Sequence, residues 1–306
     1  MLAGVVVLIA LPARADVFGS GVNTFTITFA SIGNSGNADD TGAGGGIYSS
    51  PYGGVAYTYG IAIYEVSFDQ ISKAAGNGGS SGRAASDKTW YQAAAFTNWL
   101  NTSTGHQAAY NLTSTGSGWS MALWSSGQAW QAGGQNLYRH KDAYYFLPSE
   151  DEWYKAAYHK NDGVTANYWD YATGSNTAPI AVTSGIAVGT AVYTGATSDQ
   201  ANIDRAGGPS SYGTIGQNGN MTEWMESAMD GNNNSPSEGR IWRGGSWGSP
   251  AGELRPAYRS GGAPGLNFGG GFRVASVVPE PSARLLLLGC GLVGFLQRRR
   301  RSSPRS

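Results

Sequence analysis

Four short motifs spaced along the last third of the chain constrain its fold more than any other feature. They read Gly219-Asn220-Met221-Thr222-Glu223-Trp224, Arg243-Gly244-Gly245-Ser246-Trp247, Arg259 and Gly271-Phe272-Arg273. Planar guanidinium groups suit bidentate bridging of loops, and paired glycines allow two backbones to approach closely. We therefore interpret Arg243, Arg259 and Arg273 as structural residues, with Arg243 beginning a strand.

The composition favours a globular domain rich in turns and short strands. The chain has 306 residues, including 47 Gly, 10 Trp and 17 Tyr, and only 13% of its residues are charged. This length fits one large domain or two small ones. Residues 16–279 hold 13 basic and 19 acidic side chains, a net charge of −6. An acidic body argues against nucleic acid as a partner.

The first fifteen residues are typical of a secretory signal. An apolar run, Val5 to Leu11, precedes Ala13-Arg14-Ala15, a small-x-small cleavage sequence. We predict a signal peptide over residues 1–15, and the absence of a basic region before the apolar run is consistent with a truncated start. The alternative is a buried N-terminal strand.

The last thirty residues, 277–306, contain a second targeting pattern. Pro279-Glu280-Pro281 precedes an apolar segment from Leu285 to Leu296, and Arg298-Arg299-Arg300-Arg301 follows it. The apolar segment is shorter than the roughly 20 residues that span a bilayer comfortably, and the arginines should stay cytoplasmic. This order resembles the PEP-CTERM sorting signal. The alternative is a permanent membrane anchor.

The sorting resemblance implies a partner and a location. The partner is an exosortase-type membrane protease, which would recognise Pro279-Glu280-Pro281 and release the body from the tail. The expected path is transient inner-membrane anchoring, then delivery to the cell surface or extracellular matrix of a Gram-negative bacterium. The only cysteine, Cys290, lies in this tail.

Two helices and several strands are predicted between the two ends. Alternating apolar residues from Phe18 to Ile32 and a run from Val55 to Ser67 indicate strands. Residues 87–101 are predicted to form a helix that Asp87 caps. A second helix should follow Ser149, which forms a capping box with Glu152. Residues 163–211 indicate long loops and short strands.

Over about residues 17–275 these segments resemble the formylglycine-generating enzyme (sulfatase-modifying factor) family. The last-third motifs correspond to its GNxxEW, RGGSW, lone Arg and GFR pattern. Tyr64-Glu65-Val66-Ser67 is similar to its opening YEVT segment, and Leu147–Trp153 is similar to its LPTEAEW helix start. The resemblance implies an α+β, C-type-lectin-like fold, rich in loops, over residues 16–276.

The same resemblance raises a question about catalysis. In the family, two cysteines after RGGSW bind copper and oxidise a substrate cysteine. Here the segment from Trp247 to Arg255 contains no cysteine, so neither a catalytic residue nor copper is expected. His106, His140 and His159 are scattered without metal-binding spacing.

Calcium is the one cofactor that the resemblance implies for this chain. In the family's first site the GNxxEW loop supplies a carboxylate and carbonyls, which here would come from Glu223, Gly219 and Met221, with Asn220 in the same loop. The family's upstream acidic or Asn ligand corresponds to Gly216, which has no side chain, and Asn218 is the candidate substitute. The alternative is that Glu223 binds loop amides or pairs with an arginine.

The family's second calcium loop is matched only in its first half. Ala201-Asn202-Ile203-Asp204 resembles that half, so Asn202, Ile203 and Asp204 are the candidate ligands. Hard oxygen ligands of this kind suit calcium. The alternative is an Asx turn, which is the usual role of Asn and Asp in loops.

Three functions are compatible with these observations. The first is a non-catalytic surface domain whose loops bind glycan, peptide or matrix, with exopolysaccharide as a candidate ligand. The second is an active sulfatase-modifying oxidase, which the missing cysteines oppose because no other side chain supplies a soft copper thiolate site. The third is a purely structural matrix protein. We rank the binding domain first.

Overall fold

The computed structural model describes residues 13–42, 51–116 and 118–278. The apolar run of the predicted signal peptide and the sorting-signal residues from Pro279 to Arg301 lie outside these ranges. Within them, no helix combines the length and the apolar character that crossing a membrane requires.

Three α-helices lie in the described ranges, and each begins with a capping box. They are α1 (Phe68–Ala74), α2 (Trp90–Ser103) and α3 (Glu150–Tyr158). In each helix, the hydroxyl of the N-cap residue accepts the backbone N–H of the residue three positions later. The side chain of that later residue accepts the backbone N–H of the N-cap residue. The pairs are Ser67 with Gln70, Thr89 with Gln92, and Ser149 with Glu152.

The structure confirms the helix after Ser149 and corrects two other expectations. Asp87 has a φ of 57° and does not cap α2. The helix begins at Trp90 because Thr89 and Gln92 satisfy its first amides. The sequence patterns did not predict helix α1, because the Ser67–Gln70 capping box directly follows an apolar run that indicates a strand. Arg243 ends a strand rather than beginning one.

The strands are short, as the composition predicted. In chain order they are β1 (Arg14–Phe18), β2 (Phe25–Ile32), β3 (Tyr59–Ala62), β4 (Asn111–Ser114), β5 (Trp119–Ala122), β6 (Ala129–Trp130), β7 (Asn136–His140), β8 (Tyr145–Phe146), β9 (Ile180–Ala181), β10 (Thr190–Ala191), β11 (Glu223–Ala228), β12 (Arg240–Arg243), β13 (Ser260–Gly262), β14 (Gly271–Phe272) and β15 (Ala275–Val277).

Two sheets organise these strands. The larger is antiparallel, with the order β1-β2-β3-β15-β8, so the last strand of the body lies inside the sheet. The smaller has the order β13-β12-β11-β14, and its β11–β14 pair is parallel. The remaining strands form the two-stranded pairs β4–β5, β6–β7 and β9–β10. The motifs Glu223-Trp224 and Gly271-Phe272 therefore lie side by side.

The main core lies between the larger sheet and α2. Phe25 of β2 stacks on Phe96 and Trp99 of α2, with ring centroids 6.3 Å and 5.8 Å apart. Phe96 also contacts Phe272 edge to face at 5.6 Å. A second apolar cluster surrounds Trp153 and its neighbours on α3. The aromatic residues are thus used mainly for packing, which sets the positions of the loops above them.

The N-terminal strand is fastened to the last strand. Arg14 of β1 donates to the Ser276 hydroxyl, the Val277 carbonyl and the Tyr144 hydroxyl, at 2.9–3.2 Å. Arg14 and Ala15 pair with Phe29 and Thr28 of β2. The predicted cleavage after Ala15 therefore falls inside β1, and that boundary stays a prediction.

We expect Ser149→Ala to lower the free energy of unfolding by about 0.5–2 kcal/mol, because it removes the hydroxyl that caps α3. Ser126→Ala, on an exposed loop, is the matched control and should change it by less than about 0.5 kcal/mol. Urea denaturation of both variants measures the difference. Equal midpoints would contradict the role of the cap.

Candidate functional site

The GNxxEW loop closes on a buried ion pair. Glu223 is fully buried, and its two carboxylate oxygens each accept an N–H of Arg273 at 2.6 Å. The Trp153 indole N–H donates to the same carboxylate at 2.8 Å. The other guanidinium N–H groups bind the carbonyls of Ala62, Ile63 and Ile215. Arg273 thus joins β14 to three other segments, as the structural interpretation of this arginine predicts.

A second buried carboxylate lies beside this pair. Glu65 accepts the Met221 backbone N–H at 3.0 Å and the Asn220 side-chain N–H. Burial raises the pKa of Glu65 well above its usual range, and the nearby Glu223 charge adds to the shift. A Cβ at Gly216 would lie 2.8 Å from Glu65 Oε2. The Glu65 carboxyl therefore fills the space beside Gly216, where the family has a side chain.

The structure brings the two predicted calcium loops together. Asn220 adopts a φ of 56°, a conformation that Asn tolerates, and its side-chain oxygen accepts the Ala201 N–H at 2.7 Å. Beyond Ala201, Asn202 and Asp204 are exposed, and Ile203 begins a short 3₁₀ turn, Ile203–Arg205. The loops share a hydrogen bond, which sequence spacing could not show.

These contacts bear on the calcium prediction. Calcium needs six to eight oxygen ligands, whereas the Glu223 oxygens bind Arg273 and the Asn220 oxygen binds an amide. In this arrangement neither of these two side chains offers a free oxygen, whereas the buried Asn218 Oδ1 has no hydrogen-bond partner among the described residues. Over residues 13–42, 51–116 and 118–278, no group of three His, Cys, Asp or Glu side chains could hold a metal. Calcium binding stays a prediction.

The RGGSW motif is held by another buried carboxylate, at the start of α3. Glu150, at the start of α3, pairs with Arg243 at 2.6 Å and with Arg259 at 2.9 Å. Downstream, the Ser246 backbone N–H donates to the Ser249 hydroxyl at 2.9 Å. Leu254 is fully buried and packs near Gly245. The segment that carries the cysteine pair in the family is here a closed loop with serine and leucine side chains.

A third network lies on the other side of α3. Arg139 is buried between Glu152 and Glu226, with N–O distances of 2.7–3.1 Å. Its guanidinium lies 3.6 Å from the centre of the Phe146 ring. The Tyr57 hydroxyl donates to Glu152 at 2.7 Å. Sequence reasoning missed this network, although Glu152 was identified as a capping residue.

A pocket of about 260 Å³ opens above the Arg139 network. Its walls come from the segment that contains Tyr57, from the β6–β7 turn with Trp130, from the start of α3 with Asp151, and from the loop after β11 with Asn233. No local sequence pattern marks this pocket, because its four segments are separate along the chain. The one related sequence feature is the abundance of Trp, Tyr and Asn, which suits ligand binding in general but indicates no particular site.

A second, wider groove of about 620 Å³ runs past Tyr168 and Trp169. Arg255 and Asp170 form an exposed ion pair of 2.8 Å at its wall, and the Lys160 ammonium lies 4.2 Å from the centre of the Trp169 ring. Arg255 and Asp170 in this groove already bind each other, and the Lys160 ammonium lies against an aromatic ring. The smaller pocket is therefore the better candidate for a ligand site.

Glu223→Ala should destabilise the protein by about 3–5 kcal/mol, because it leaves the Arg273 charge buried without a partner. Glu238→Ala, in the loop before β12, is the control and should cost no more than about 0.5 kcal/mol. Thermal melting in calcium and in chelator compares both variants with the wild type. Equal melting temperatures for the two variants would refute the role of Glu223.

Asp151 gives a prediction about pH. Burial raises its pKa to about 7, and the charges of Glu150, Asp39 and Glu152 add to the shift. The folded state therefore keeps a proton on Asp151 that the unfolded state loses near pH 4. The contribution of the protonated Asp151 carboxyl to the free energy of unfolding is therefore full below about pH 4 and is lost as pH rises past 7. Between pH 4 and 8, Asp151→Asn should gain up to about 4 kcal/mol relative to wild type. A constant difference across this range would contradict the shift.

Solved structures share this architecture. Treponema denticola variable protein 1 is 21% identical with a TM-score of 0.62, and the similarity covers 87% of this chain and 99% of that one. A structure described as CarF is 18% identical with a TM-score of 0.55, over 83% of this chain and 99% of its own. At these identities the likeness shows the fold alone. No curated protein matches the chain.

Two family models match the sequence directly. The PEP-CTERM protein-sorting motif matches residues 277–301, which confirms the predicted sorting signal. The sulfatase-modifying factor enzyme 1-like domain matches residues 86–278, more than half of the chain. With the neighbouring structures, this match confirms the predicted α+β, loop-rich fold. The chain therefore belongs to the sulfatase-modifying factor enzyme 1-like domain family.

Proposed function

We propose that this protein is a non-catalytic binding domain that works outside the cell. Its sorting motif marks it as an exported protein that is processed at the membrane of a Gram-negative bacterium. An exosortase-type protease is the partner kind that fits such a motif. The proposal adds that the body is then displayed on the cell surface or in the extracellular matrix.

The absence of thiols from the matched domain carries the proposal. The sequence has one cysteine, Cys290, and it lies in the sorting tail rather than in residues 86–278. The Ser249 hydroxyl accepts a hydrogen bond from the Ser246 N–H, and the Leu254 side chain is fully buried in the same loop. Serine and leucine side chains cannot provide the soft thiolate ligands that copper requires. A domain with this loop retains the scaffold without the oxidation chemistry of the family.

The remaining surface features favour binding over a purely structural role. The pocket beside Trp130 is concave, and its mostly polar lining lies beside an aromatic wall, which suits a hydroxyl-rich small molecule. The extracellular location that we propose would bring the body into contact with the exopolysaccharide of the producing cell. We therefore propose exopolysaccharide as the ligand of the exported protein.

The full-length protein in mild detergent should bind exopolysaccharide from its own producer and should not oxidise thiols. Co-sedimentation with that polymer, compared with unrelated glycans, measures the binding. Incubation with copper, oxygen and a cysteine-containing sulfatase peptide measures the oxidation by mass. A family member that retains its cysteine pair is the positive control for the second assay.

Two results would overturn this function. Conversion of the peptide cysteine to an aldehyde would establish the oxidase instead. A protein that is inactive in that assay and sediments with no extracellular polymer would favour the purely structural alternative.

A further inference from the structure

We propose that the pocket bounded by Tyr57, Trp130, Asp151 and Asn233 binds one sugar unit of a neutral carbohydrate. This inference rests on the proposed binding function, and it adds the site and the chemical class of the ligand. The pocket lies outside the loop that corresponds to the family's catalytic segment. Four separate segments of the chain build it.

The volume of the pocket sets the size of the ligand. Sites for drug-sized molecules occupy roughly 300–1,000 Å³. At about 260 Å³, this pocket is just below that range and suits a single ring with its substituents. It is open to solvent on one side, so a longer chain could continue out of it from the bound unit.

Trp130 gives the pocket a fixed aromatic wall. Its indole N–H donates to the Ala132 carbonyl at 3.0 Å. Its ring contacts Tyr57 edge to face at 5.5 Å and Phe146 at 5.8 Å. The ring is only half-buried, so part of it stays available to a ligand. An aromatic surface held in place before binding can stack on the apolar C–H face of a sugar with little loss of entropy.

The polar groups of the pocket suit hydroxyl groups. One oxygen of Asp151, Oδ1, accepts the Gly53 N–H at 2.9 Å, and over the described residues Oδ2 has no protein donor. The oxygen of Asn233 accepts the Ala228 N–H at 2.8 Å, so its amide N–H groups remain as donors. An acceptor and a donor in one pocket match a hydroxyl group, which both donates and accepts.

The charges of the pocket disfavour an acidic sugar. Its one arginine, Arg139, is already paired with both Glu152 and Glu226. Above pH 7, where the Asp151 carboxyl is ionised, it would repel a uronate carboxylate. A neutral sugar avoids this repulsion and uses the same carboxyl as an acceptor.

Titration calorimetry of the full-length protein in mild detergent tests the site. The probes are neutral oligosaccharides of glucose, galactose and mannose, and polygalacturonate represents acidic polymers. The variants are Trp130→Ala, which removes the aromatic wall, and the isosteric Asp151→Asn. Trp119→Ala is the matched control, since Trp119 is an exposed tryptophan on β5 outside the pocket.

We expect at least one neutral oligosaccharide to bind, and both pocket variants to bind it at least tenfold more weakly. Trp119→Ala should bind it as the wild type does, and polygalacturonate should bind more weakly than the neutral probe. Melting curves establish that each variant is folded. If Trp130→Ala does not fold, the affinity of Asp151→Asn alone decides whether the sugar binds in this pocket.

Several outcomes would overturn the site without removing the proposed function. Equal binding of neutral sugars by all variants would place the binding surface elsewhere on the body. Binding of polygalacturonate alone would exclude the neutral class. Binding of exopolysaccharide with no response to any neutral probe would also refute this inference and leave the wider function standing.

Discussion

The first turn of α3 is the point on which the rest of the structure depends. Glu150 binds Arg243 and Arg259, Glu152 binds Arg139, and the Trp153 indole binds the carboxylate that holds Arg273. Three of the four motifs that mark the last third of the chain thus contact one helix turn directly, and Arg273 of the fourth is joined to it through Glu223. With few long strands available, buried ion pairs connect the loops.

Such pairs act mainly by making the arrangement specific. Moving two charges out of water costs nearly as much as their attraction returns, so the net stabilisation of a buried pair is small. Loss of one partner is expensive, because the other charge then stays buried alone. The arginine networks therefore select one arrangement of the loops, and the aromatic core between the larger sheet and α2 supplies most of the stabilisation.

The same rigidity shapes the candidate ligand site. Glu152 fixes the Tyr57 hydroxyl, and Arg139 lies close to both Phe146 and Trp130. The pocket walls are thus held by contacts that the fold already needs. The loop after RGGSW is closed by the hydrogen bond between Ser246 and Ser249 and by the buried Leu254. The residues that line the pocket are not those of this loop.

The sequence by itself determined the features whose causes are local. The capping box of Ser149 and Glu152 lies within four residues, and the order of the motifs identified the family and the sorting signal. Tertiary structure alone decided the rest. The Glu223–Arg273 pair and the Glu65 carboxyl beside Gly216 join residues 50 or more positions apart, and the pocket around Trp130 combines four separate segments. Such contacts depend on strand register and on the packing of α3, which no local pattern of side chains specifies.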